Sequence, residues 1–328
     1  MKNIYTLIIA ILISFSIYGQ DNPLAYESKM ADLGEIQIEY MDFGGEGVPF
    51  IWVQDFHNYF EGPYSKFPES PLTIELFARL SDETRVLAPL RRGYGKSTDT
   101  QWGYDVATQA EDLIAFMDAL EIEKAILFGS LPANQDITWI AEHHPERVAG
   151  LIYWGNPILV AGCHEPDVMA LIENWSAISG LDFNKEKEKL LVMSRALWRP
   201  HFLLEPEFRI NIPALRFTSQ FDLIYVFRRM VESGRIENLI TEEKEGFEQE
   251  FSALREIVQD SIRYAKLKKD LINCDQTLAI DQAIVRAFGE NLKTLNEDDQ
   301  KFKEEEYWKS YLDWLYEHIS KFNEELNK

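Results

Sequence analysis

The sequence predicts an α/β protein, a mostly parallel sheet covered by helices on both faces. Three observations predict it. Short apolar runs alternate with helical stretches through the first half of the chain, which is the pattern of parallel βαβ units. One stretch, Tyr104 to Leu120, carries Val106, Leu113, Ile114, Met117 and Leu120 on one helical stripe. Lys124 to Trp154 reads as strand, small-residue corner, helix and strand in succession.

Taken in chain order, residues 1–20 match a secretory signal peptide. Lys2 supplies the positive end, Ile4 to Tyr18 the apolar segment, and Gly19 the small residue before a cut near Gln20. The segment is short for a membrane span, although an uncleaved anchor would share its pattern. The expectation is therefore an exported chain, periplasmic or extracellular, with no stable membrane insertion after cleavage. Ile36 to Met41 alternates as a strand does, Gly44, Gly45 and Gly47 make a turn, and Pro49 to Val53 is a short apolar strand. Leu72 to Leu80 has helical spacing, Arg85 to Pro89 is a strand, and Arg92 to Ser97 is a glycine-punctuated loop. Residues 155–210 break the alternation with Pro157, Pro166, Pro200 and Pro206 and read as a helical cap insertion. Asn211 to Thr218 resumes as a strand. The core is thus assigned to 21–154 and 211–240, and 241–328 to a long helical C-terminal region. Its last helix places Tyr307, Tyr311, Trp314, Leu315, His318, Ile319, Phe322 and Leu326 at three- and four-residue spacings.

A chain of 328 residues with 46% hydrophobic side chains can bury a large core. Its net charge of −22 argues against nucleic acid or anionic lipid as a partner. Cys163 and Cys274 could pair in an exported protein, or sit as two separate buried thiols. No H-E-x-x-H or C-x-x-C spacing calls for a metal, and no cofactor is implied.

Over roughly residues 33–225 the chain resembles the α/β-hydrolase superfamily. The matching residues are Arg85-Val-Leu-Ala-Pro89, Arg92-Gly-Tyr-Gly-Lys-Ser97, the corner Gly129-Ser-Leu-Pro-Ala133, His144-Pro-Glu-Arg-Val148, and Ile212 to Asp222. The resemblance implies a G-x-S-x-G nucleophile elbow at 129–133. With Gly129 and Ala133 on the small positions, the nucleophile position holds Leu131, which cannot attack a carbonyl. Pro132 follows, where a backbone N–H would serve the oxyanion. Proline has none, though it suits a first helical position. The loop after Val53 reads Gln54-Asp55, where many members carry His-Gly. A carboxylate there would repel an oxyanion if turned inward, or would face solvent or cap a turn. Gln54, Asp55, Leu131 and Pro132 are the expected pocket lining.

Asp222 matches the acid position. The resemblance places the base after the next strand, yet residues 223–317 contain no histidine, and His318 sits on an apolar stripe where a packed histidine is expected. The sequence therefore predicts an inactive hydrolase-fold protein acting by small-molecule or protein binding. The alternative is an ester or peptide hydrolase with a rearranged set such as Ser130, His57 and Asp222.

Overall fold

A computed structural model describes residues 25–55, 60, 69–100, 102–130, 132–155, 167, 207–218, 231, 233–239, 248–274, 277–296 and 307–328. In chain order the strands and helices are β1 (Glu27–Asp32), β2 (Gln37–Gly44), β3 (Phe50–Val53), α1 (Glu69–Leu80), β4 (Val86–Pro89), α2 (Val106–Ala119), β5 (Ala125–Ser130), α3 (Pro132–His143), β6 (Val148–Trp154) and β7 (Ala214–Thr218). There follow α4 (Arg235–Leu239), α5 (Glu248–Gln259), α6 (Ser261–Cys274), α7 (Thr277–Phe288), β8 (Leu292–Asn296) and α8 (Tyr307–Leu326).

The strands form one sheet in the order β1-β2-β4-β3-β5-β6-β7-β8. Only β2 runs against the others; β4, β3, β5, β6, β7 and β8 are joined by parallel ladders. Alternation along each strand feeds two separate cores. Ile51, Val53, Leu87, Leu127, Leu151 and Tyr153 face α2, α3 and α7, which contribute Phe116, Ile137 and Phe288 among others. Phe50, Trp52, Val86, Phe128, Ile152 and Phe217 face α1 and α8, which contribute Phe77, Leu80, Tyr311, Trp314 and Ile319. Both faces are covered, as the apolar runs predict. The aromatic stripe of α8 therefore packs on its own sheet.

α2 begins where the Asp105 side chain accepts the Thr108 N–H at 3.1 Å, satisfying a first-turn donor. α3 begins at Pro132, whose missing N–H costs a helix nothing at that position.

Two strands escaped the sequence reading, and both are sheet edges. β1 is exposed at every position but Ala31, and β8 has no buried residue, so neither offers an apolar run. β8 lies inside the stretch 241–328 expected to be helical, paired in parallel with β7. With α7 and α8 packed on the sheet, much of that stretch belongs to the core. Residues 1–20 lie outside the described residues, as do Cys163, the Cys274 side chain and nearly all of the expected cap at 155–210. From that cap, Asp167 Oδ1 accepts two hydrogen bonds from Arg263 of α6, at 2.8 Å from Nε and 2.6 Å from Nη2. Among the described residues no helix is long and apolar enough to cross a membrane.

Candidate functional site

The strand order turns at β3, with β4 on one side and β5 on the other. In open α/β sheets the crevice outside the carboxyl ends of strands at such a switch is where ligands bind. β3 ends there at Val53-Gln54-Asp55, and β5 at Ser130. The chain then turns abruptly into α3. A Cβ on Gly129 would stand 3.0 Å from the Ala133 carbonyl carbon and 3.0 Å from Asn134 Oδ1, so strand and helix backbones meet where both residues must be small. Leu131, the residue between them, lies outside the described residues.

Among the described residues, polar side chains meet where β3 and β5 end. Ser130 Oγ donates to Asp55 Oδ2 at 2.8 Å. Ser130 is 8% exposed and Asp55 1%. Asp55 therefore neither faces solvent nor caps a surface turn; it turns inward and receives the proton of the corner hydroxyl. Gln54, also buried, is held by Arg91: its side-chain oxygen accepts the Arg91 backbone N–H at 2.7 Å, and its carbonyl accepts Arg91 Nε at 2.6 Å. Arg91 Nη2 donates to Asp136, one turn into α3. Burial pushes the Asp136 carboxyl up to about 6, with Asp105 adding to the rise and the Arg91 guanidinium opposing it.

Sequence reading missed Arg91 and Asp136. The signal for Asp136 was present: it lies between Ala133, Ile137 and Ile140 on the buried side of α3, where a lone carboxylate needs a cation. Of the expected site residues the structure brings Gln54, Asp55 and Ser130 together, with Pro132 opening the helix behind them. His57 and Asp222 lie outside the described residues.

β8 now locates the loop where the resemblance places a base. The ten residues after it, 297–306, contain no histidine. His318 is a packed residue of α8: its Nδ1 hydrogen-bonds the Trp314 carbonyl at 2.8 Å, and its ring lies 5.3 Å from the Trp314 ring. A groove of about 460 Å³, lined by Lys124, Val148, Phe208 and Pro213 among others, sits at the opposite ends of β5, β6 and β7. That is the end of the sheet the switch rule does not favour.

No family model matches the chain. A non-heme chloroperoxidase of Streptomyces lividans is 33% identical over 95 residues, 28% of this chain and 34% of that protein. The chain thus matches about a third of that relative's length. Among solved structures, an α/β hydrolase fold protein from Chitinophaga pinensis is 13% identical, covering 63% of this chain and 87% of its own, at a TM-score of 0.47. A bromoperoxidase from Bacillus anthracis is 20% identical, covering 59% and 82%, at a TM-score of 0.42. The sheet order and the tight corner between β5 and α3 are the deciding features. The fold is of the α/β-hydrolase type. Among the described residues at the carboxyl ends of β3 and β5 stand a serine–aspartate pair and a buried arginine–aspartate pair.

Proposed function

We propose that this hydrolase-fold chain acts by binding a small molecule or a protein partner and does not catalyse hydrolysis. The Ser130–Asp55 hydrogen bond carries the reading. Ser130 is the only hydroxyl of the corner 129–133, and its proton is already committed. An ordinary carboxylate, with a pKa of about 4 against about 6.5 for imidazole, is too weak a base to activate a serine near neutral pH. Three sequence facts support the same reading: Leu131 at the elbow position, Pro132 without an N–H, and no histidine from 223 to 317. In a serine triad, loss of nucleophile or base costs about 10⁶ in turnover, and the residue of activity depends on an intact oxyanion site.

The test is turnover of a panel of short-chain p-nitrophenyl esters and peptide amides by the purified protein. The expected rate is the buffer rate. Oxidative halogenation with peroxide and bromide, which the Streptomyces lividans relative's name suggests, is expected to be absent as well. Turnover that disappears in Ser130→Ala would overturn the proposal in favour of a rearranged hydrolase.

Export is also proposed, supported by the charged, apolar and small-residue order of residues 1–20. Mass spectrometry of the cell-envelope or culture-fluid protein should find a chain starting near Gln20. A chain retaining Lys2 there would contradict it.

A further inference from the structure

The groove at the starts of β5, β6 and β7 has the build of a small-molecule site. Its volume of about 460 Å³ falls within the roughly 300–1,000 Å³ of ligand pockets. Val148, Phe208, Ile210 and Pro213 give it an apolar lining, and all of that lining lies among the described residues.

Two opposite charges stand at one end of it. In the parallel ladder of β5 and β6, Ala125 pairs with Val148. Lys124 comes immediately before Ala125, and Glu146 two residues before Val148; both line the groove. Arg147 fastens the two strand starts, its Nε donating to the Glu123 carbonyl and its Nη2 to the Ile122 carbonyl, each at 2.9 Å. Lys124 and Glu146 are thus held on neighbouring chains, whose spacing in a sheet is about 4.8 Å. Even so, their side chains form no ion pair with each other. Among the described residues the Lys124 ammonium has no partner. Glu146 Oε1 has His144 Nδ1 at 3.9 Å, beyond hydrogen-bond length. The other groove charges are engaged: Glu142 lies 3.5 Å from His143, and Arg209 donates to the Phe208 carbonyl at 2.6 Å.

An ammonium and a carboxylate side by side, at the end of an apolar groove, complement a molecule bearing the inverse pair on one carbon and an apolar body. We infer that this groove binds free α-amino acids with large apolar side chains. The α-carboxylate meets Lys124, the α-ammonium meets Glu146, and the side chain lies along Phe208 to Pro213. A carboxylic acid or an amine alone would match one rim group and leave the other unmatched. The chain's net charge of −22 also repels a free carboxylate at long range, whereas a zwitterion has no net charge to repel.

Equilibrium dialysis of the purified protein against radiolabelled L-phenylalanine at pH 7.5 tests the inference, with 3-phenylpropionate, 2-phenylethylamine and glycine as competitors. Each phenyl analogue should compete about fivefold more weakly than phenylalanine, the scale of one exposed ion pair. Glycine, which lacks the apolar body, should compete about tenfold or more weakly. Lys124→Glu and Glu146→Lys should each weaken phenylalanine about fivefold. The double exchange should restore binding to within about twofold, because the zwitterion then binds with its two charged groups reversed. A variant that had lost its fold could not show that recovery. Absence of saturable phenylalanine binding, equal competition by either single-charged analogue, unchanged single variants, or a double variant no better than the singles would overturn the inference. Ester turnover would instead overturn the reading of Ser130 and leave this groove untouched, so the two failures are separable.

Discussion

The body of the sheet and its carboxyl-end crevice are built from the same strands on opposite rules. In the body, Phe128 of β5 lies 5.7 Å from Phe50 and 6.2 Å from Trp154, within an apolar cluster. Two residues later the same strand ends at Ser130, whose hydroxyl donates to Asp55, beside the Arg91 hydrogen bonds to Gln54 and Asp136. The difference teaches that the packing which maintains a hydrolase-type sheet is independent of the chemistry at its edge. Fold and function rest on different residues, so one can be kept when the other is gone.

The comparison can be broken most forcefully in the body. Phe128→Ala should cost about 3–5 kcal/mol of unfolding free energy, read from denaturant midpoints. Arg91→Met leaves Asp136 buried without its cation, and should cost about 3 kcal/mol by the same measurement. Replacing both partners, Arg91→Met with Asp136→Leu, should restore part of that loss, because a well-packed apolar pair needs no desolvation. Ser130→Ala removes a proton that Asp55 accepts and should cost about 1–3 kcal/mol, with ester turnover staying at the buffer rate.

A pH series sharpens the contrast further. Asp136 titrates at about 6 in the folded protein, above the roughly 3.9 of an unfolded aspartate. The folded state therefore holds this proton more tightly. The contribution of Asp136 to stability rises as pH falls through 6 and is complete near 4. Between pH 7.5 and 5 the unmodified protein should thus gain stability relative to Asp136→Asn, with both followed by chemical denaturation. Phe128→Ala should show the same pH slope as the unmodified protein, since it leaves the Arg91–Asp136 pair in place. The smallest effect is expected far from both regions: Trp102, 58% exposed with the Arg92 guanidinium 4.8 Å from its ring, should cost only about 0.5–1 kcal/mol on replacement by alanine.

How much was legible follows from the same division. β5, β6 and α2 announce themselves because buried parallel strands and a core-facing helix must be apolar at fixed spacing. The corner is legible because backbones that meet at Gly129 and Ala133 exclude larger residues. β1 and β8 were not, since edge strands pair on one side only and need little apolar surface. Within the site, the absence of a histidine is a plain sequence fact, but the inward turn of Asp55 is not. Gln54-Asp55 after a strand has the composition of a turn, and only the β3–β5 ladder brings Asp55 to Ser130. Arg91 and Asp136 lie 45 positions apart, a pairing that local pattern does not reveal.

The proposal that Ser130 is not a nucleophile meets its most direct test in the intact mass of the protein after prolonged incubation with a fluorophosphonate. The expected mass is unshifted. A stoichiometric adduct that maps to Ser130 and vanishes in Ser130→Ala would contradict it.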